Sequence, residues 1–201
     1  LNGVNNQQII QELLPENTVY AGCVYIVSRL NESGVVENSG NIQKLYFGLD
    51  HQQNDRAQHL ETLFLEAGID AEYRTDIIRI IWEKFIFLSA LATATTYYDE
   101  TIGKIMEDEH KRQQIIQLVE EVIHLAKAQN IPLSDRILEK TISKLDALTP
   151  ESTSSMHSDF QHKKQHTELD SITGYIVKSA QKYGVDTPCF SYFYTEIKKR
   201  S

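Results

Sequence analysis

Lys84 sits in "IIRIIWEKFIFLSALA" (77–92), a stretch apolar on nearly every side of a helix. Lysine is rarely buried without a partner or a task. One reading is a side chain that runs along a groove or pairs with a nearby acid. The other is a desolvated ammonium of lowered pKa, suited to passing a proton to a developing alkoxide. A second stretch, "HTELDSITG" (166–174), loads a helix start with polarity. Thr167 and Asp170, three residues apart, suit a capping box, and Glu168 suits the positive end of the helix dipole. "STSSM" (152–156) offers hydroxyls ahead of Asp159, either as a cap cluster for a short helix or as a cradle of hydroxyl and backbone N–H groups for a carboxylate. "LNGVNN" at the start sets Asn2 and Gly3 in a turn, or at a strand end where an amide touches a ligand, as in open α/β sheets.

His157, His162 and His166 are spaced five and four apart in a polar segment. One helical face could offer His162 and His166 to a metal, but no third ligand is suitably spaced, so solvated histidines and no metal are expected. No G-x-G-x-x-G occurs, since "GVVENSG" has the wrong spacing.

The elements that must carry these residues fall into two groups. Ile9, Ile10, Leu13 and Leu14 give a helix stopped by Pro15. "TVYAGCVYIVSRL" (18–30) and "KLYFG" (44–48) read as strands, with a short hairpin strand near Val35–Val36 between them. A helix over 56–68 and a short strand in "DAEYR" follow. From 76 onward the periodicity is almost wholly helical, over 76–97, 101–107, 109–129, 134–148, 167–183 and 189–199. Ile115, Val119, Val122 and Ala126 form a core stripe in 109–129, Ser134 is a fitting N-cap, and 148–165 reads as polar loop. The fold class expected is mainly α with a small α/β portion, divided at 1–75 and 76–201. Two strands, a helix and a hairpin do not close a stable sheet. With Leu1 in first place instead of Met, the chain is expected to be part of a longer polypeptide.

Twenty Lys and Arg against 28 Asp and Glu leave a net charge of −8 over 201 residues, with no basic stripe beyond "IKKRS", so nucleic acid is not expected as a partner. The ten-residue apolar run 85–94 is too short to span a membrane. Two distant cysteines, Cys23 and Cys189, suit a reducing cytoplasm.

The order of these signals along the chain resembles ketopantoate reductase (2-dehydropantoate 2-reductase). The resemblance runs through "LNGVNN", "WEKFIF", "SSM" followed by Asp159, and most specifically "HTELDSITGYIVKSAQKYGVDTP" (166–188). It implies the remnant of a Rossmann-type NADP-binding domain (1–75) followed by an all-helical substrate domain (76–201) like the C-terminal domain of 6-phosphogluconate dehydrogenase. The implied chemistry is NADPH-dependent reduction of ketopantoate to pantoate, in pantothenate and coenzyme A biosynthesis. By resemblance, Lys84 is the general acid, and Glu168 holds the substrate hydroxyl and helps orient the lysine. Ser155 contacts the substrate carboxylate, and Asn2 lies at the junction of nicotinamide and substrate, so that Asn2 and Lys84 also touch the cofactor. A cytoplasmic enzyme is implied, monomer or homodimer. Where family members carry asparagines, this chain has Leu88, Ala92 and Ile102. Another branched 2-oxo acid therefore stays open as substrate, as does a non-catalytic helical dimerisation module. Without the glycine fingerprint, the 201-residue chain alone is expected to be inactive.

Overall fold

A computed structural model describes residues 2–30, 34–38, 40, 43–51 and 54–200. By internal contacts the chain forms two compact units, Leu1–Ile81 and Trp82–Ser201.

The first unit opens with α1 (Asn6–Leu13). Strands β1 (Ala21–Tyr25), β2 (Ser28–Leu30), β3 (Val36–Asn38) and β4 (Lys44–Gly48) follow, then α2 (Asp55–Glu66) and β5 (Ala71–Tyr73). The sheet runs β1-β4-β5, with β1 antiparallel and β5 parallel to β4. The single long strand expected over 18–30 is two strands. After Tyr25 the chain leaves β4 and pairs Ser28–Leu30 with β3, leaving Ile26 and Val27 exposed between them. Gly48 has a steric role, because a Cβ there would lie 1.8 Å from the Arg74 carbonyl oxygen. Arg74 grips Asp76 through two N–H donors (2.8 and 3.0 Å) and Glu72 through a third (2.8 Å). That guanidinium holds the Asp76 carboxyl well below the usual range.

Helix α3 (Ile77–Tyr98) follows β5. Its first turns pack Ile77, Ile80 and Ile81 against Ala21 and Cys23 of the first unit. The second unit contains the rest of α3 with α4 (Ile102–Glu107), α5 (Glu109–Ala128), α6 (Ile137–Asp146), α7 (Ser155–Gln161), α8 (Thr173–Tyr183) and α9 (Pro188–Lys198). The expected stripe of α5 is buried, as are Leu118 and Leu125. No described helix is long and apolar enough to cross a membrane.

Three local expectations are corrected. Helix α6 starts at Ile137, because Ser134 Oγ accepts the Arg136 N–H (3.4 Å) and the Lys140 ammonium (3.2 Å) and caps no helical turn. The segment expected as loop contains α7, whose N-cap is Ser154, accepting the His157 N–H at 3.0 Å. Helix α8 starts at Thr173 and not at 167. Asp170 is drawn away to Tyr194 and Lys198 of α9, so it completes no capping box. Thr167 Oγ1 accepts the Leu169 N–H (3.4 Å) in a local turn that competes with helix.

Candidate active site in the helical unit

Helix α3 is the backbone of the second unit, and its side chains show why. Phe85 meets Tyr175 of α8 edge to face at 5.9 Å. Thr93 Oγ1 lies 2.8 Å from Thr173 Oγ1, and Thr95 Oγ1 lies 3.0 Å from Ser154 Oγ, all four groups buried. Ala92 packs with Met156, Leu169 and Ile197. Buried hydroxyl pairs between helices satisfy their own polarity and fix register as well as depth. The α3 C-terminus is closed by Arg200, whose guanidinium donates to the carbonyls of Thr96 (3.3 Å) and Tyr97 (2.9 Å).

On this frame Lys84 is half-buried on α3. Ser155 is the first residue of α7 and exposed, and Glu168 is half-buried in the turn before α8. Ser155 Oγ donates to Glu168 Oε2 at 3.3 Å, so two residues thirteen apart in sequence are brought together. Lys84 belongs to the same unit, and Asn2 to the other, in the segment ahead of α1. Because α8 begins five residues later, Glu168 lies outside the first helical turn and the dipole does not hold its charge. Its main-chain carbonyl instead accepts the Ile172 N–H at 2.9 Å.

Of the three positions where the resemblance implies asparagine, Leu88 is half-buried and the other two are packed. Ala92 and Ile102 are each 1 % exposed. Ile102 and Gly103 donate their N–H groups to the carbonyls of Ser152 (2.9 Å) and Pro150 (3.0 Å), which docks the start of α4 on the segment leading into α7. A Cβ on Gly103 would come within 2.6 Å of Pro150, so glycine is required there.

The expectation for His157 is overturned. It is 3 % exposed, and its Nε2 lies 2.7 Å from Asp99 Oδ1. Asp99 ends α3 with a left-handed φ of 54°. The His157 hydrogen bond holds the Asp99 carboxyl below its ordinary range. His162 and His166 are exposed as expected. No cluster of His, Cys, Asp and Glu that could hold a metal occurs among the described residues. Glu121 also escapes a sequence reading. Its carboxylate, 7 % exposed on α5, accepts the N–H groups of Cys189 (2.8 Å) and Phe190 (2.9 Å) at the start of α9. Burial pushes its pKa up and the two N–H groups pull it back, burial being the larger effect.

Comparison with known proteins finds relatives of the chain as a whole. The family described as "Ketopantoate reductase PanE/ApbA C terminal" matches residues 76–201. A 2-dehydropantoate 2-reductase of Streptococcus pyogenes is 22 % identical over 192 residues, covering 94 % of this chain and 61 % of its own length. The crystal structure of 2-dehydropantoate 2-reductase from Porphyromonas gingivalis W83 is 30 % identical, with a TM-score of 0.81 over 98 % of this chain and 61 % of that one. A ternary structure of D-mandelate dehydrogenase with NADH and anilino(oxo)acetate shares the fold, with a TM-score of 0.86 at 23 % identity over the whole chain and 65 % of that one. The chain thus spans about three fifths of the relatives it matches.

Proposed function

The chain belongs to the ketopantoate reductase family, and from that premise we propose that the protein reduces a 2-oxo acid with NADPH, ketopantoate being the first choice. The observation that carries the proposal is the Ser155–Glu168 hydrogen bond, made inside the family-matched segment. It joins two residues that the resemblance assigns to one substrate.

When bound, NADPH supplies a hydride to the carbonyl carbon. What this chain can hold of it is the nicotinamide end, because Asn2 has an amide that both donates and accepts, whereas no glycine fingerprint for the pyrophosphate occurs in the 201 residues. Lys84 supplies the proton to the carbonyl oxygen as negative charge develops there. An ammonium at that oxygen stabilises the charge and ends it by protonation. Glu168, acceptor-only when ionised, takes the hydrogen bond of the substrate hydroxyl and orients the lysine. On substrate binding the Ser155 hydroxyl rotates its single proton from Glu168 Oε2 to the substrate carboxylate.

The second reading, reduction of a different branched 2-oxo acid, is favoured by the apolar packing of Ala92 and Ile102 where the family carries amides. Fewer amides mean fewer hydrogen bonds to substrate hydroxyls, and a site without them discriminates weakly for a hydroxyl. A panel of 2-oxo acids assayed with NADPH on the full-length protein decides between the two. Ketopantoate having the highest kcat/KM supports the first, and a substrate without the hydroxyl having it supports the second. Light scattering on the same preparation distinguishes monomer from homodimer.

A further inference from the structure

Helix α7 has only seven residues, too few to hold itself in place, so its position comes from what it is tied to. Apart from Ser155 to Glu168 (3.3 Å) and Asp159 to Lys164 (2.6 Å), its polar ties run to the C-terminal end of α3. Ser154, the N-cap, meets Thr95 at 3.0 Å, and Asp99 accepts from both His157 (2.7 Å) and Gln161 (3.4 Å). His157 and Gln161 are four apart and share one side of the helix. Ser155 is two residues from His157, about 200° around the axis at 100° per residue, and so faces the opposite way. The apolar tie, Met156 against Ala92, Leu169 and Ile197, fixes depth, but a thioether adapts to small rotations. Rotation about the α7 axis is therefore held from behind by the Asp99 carboxylate, which takes two residues of one side, while the exposed Ser155 meets Glu168 in front through one longer bond. Among the described residues the buried His157 Nδ1 has no hydrogen-bond partner, so the ring's polar attachment there is Asp99.

We infer that the Asp99–His157 pair is the positioning element for Ser155, turning α7 so that the serine hydroxyl meets the substrate carboxylate beside Glu168. Neither residue of the pair touches the substrate. The inference rests on the proposed contact between Ser155 and that carboxylate.

The test uses the full-length protein with NADPH and its best 2-oxo acid. Asp99→Gly removes the carboxylate from an exposed side chain without straining the left-handed φ, so the fold is kept. It should raise KM about fivefold, Ser155→Ala about tenfold, each with kcat within about twofold. The double variant should match Ser155→Ala alone, since residues acting through one group do not add. His157→Gln, which keeps an N–H donor, should recover part of the KM lost in His157→Leu. Unchanged KM in Asp99→Gly beside a raised KM in Ser155→Ala would overturn the positioning role and leave the substrate contact standing. Fully additive effects would also overturn it, as they indicate mere structural damage. Unchanged KM in Ser155→Ala would remove the substrate contact, and the positioning role with it.

Discussion

Helix α9 starts in an unusual way, and Glu121 is the reason it can. Pro188 opens the helix and has no N–H to satisfy, and Thr187 before it makes no side-chain cap. The next two N–H groups, on Cys189 and Phe190, are taken by one carboxylate that comes from α5. Cys189 is 9 % exposed and Phe190 fully buried, so water does not replace that acceptor without opening the core. Glu121→Ala strands two buried donors at about 1–3 kcal/mol each. Partial relief by water in the vacated space leaves a loss of about 3 kcal/mol, or about 6–12 °C in Tm for a chain of this size. Trp82 is the sole tryptophan and is buried in the helical unit, so urea titration followed by its fluorescence reads that unit directly. The carboxyl pKa is raised above its ordinary 4.5, so its stabilising contribution is complete below pH 4.5 and is lost as pH rises through the folded value. Glu121→Gln cannot titrate. Wild type should therefore lose stability relative to the glutamine variant on going from pH 4 to neutrality. A loss under about 1 kcal/mol in Glu121→Ala, or a difference between wild type and Glu121→Gln that does not vary with pH, would refute this account of the α9 start.

Gly103→Ala should destabilise the helical unit by about 1–3 kcal/mol in the same titration, because a methyl there meets Pro150 backbone. Glycine to alanine in an open helix would stabilise, so a gain would show the docking of α4 to be loose. Glu168→Ala in the full-length protein should raise KM for the 2-oxo acid by tenfold or more, with a smaller loss of kcat and a melting temperature within about 2 °C of wild type. A change in melting temperature alone would return Glu168 to a structural role. The 201-residue chain, titrated with NADPH by calorimetry, should show no saturable binding at micromolar cofactor, since it has no glycine fingerprint. Tight binding would mean that the nucleotide site is held elsewhere.

Long periodic segments were legible because burial repeats within them. The stripe of α5 could be written down from spacing alone, and Ile115, Val119, Val122 and Ala126 are buried where the spacing puts them. Lys84 stands out in the sequence because it lies in a run apolar on nearly every side of a helix, and it is half-buried there. The misjudged elements are those whose hydrogen bonds are long-range. Beyond the cap cluster read in "STSSM", which Ser154 supplies, helix α7 looked like loop because its polar residues find partners far along the chain, Ser154 at Thr95 and both His157 and Gln161 at Asp99. Asp170 looked like part of a capping box until Tyr194 and Lys198 claimed it. Glu121 sits beside Glu120 in a pattern indistinguishable from a solvated face, and its donors lie 68 and 69 residues away. Of the candidate site, the pairing of Ser155 with Glu168 was reachable only through the family resemblance, since no periodicity relates a helix start to a turn thirteen residues later.

The central claim is that Lys84 delivers the proton, and one substitution tests it. Lys84→Ala in the full-length protein, assayed with NADPH and ketopantoate or the best 2-oxo acid from the panel, should retain cofactor binding by fluorescence. Its kcat should fall by about two to four orders of magnitude, the usual worth of a positioned proton donor. Turnover within a few-fold of wild type would remove Lys84 from the chemistry and leave it as a lysine that lies along its helix for structural reasons alone.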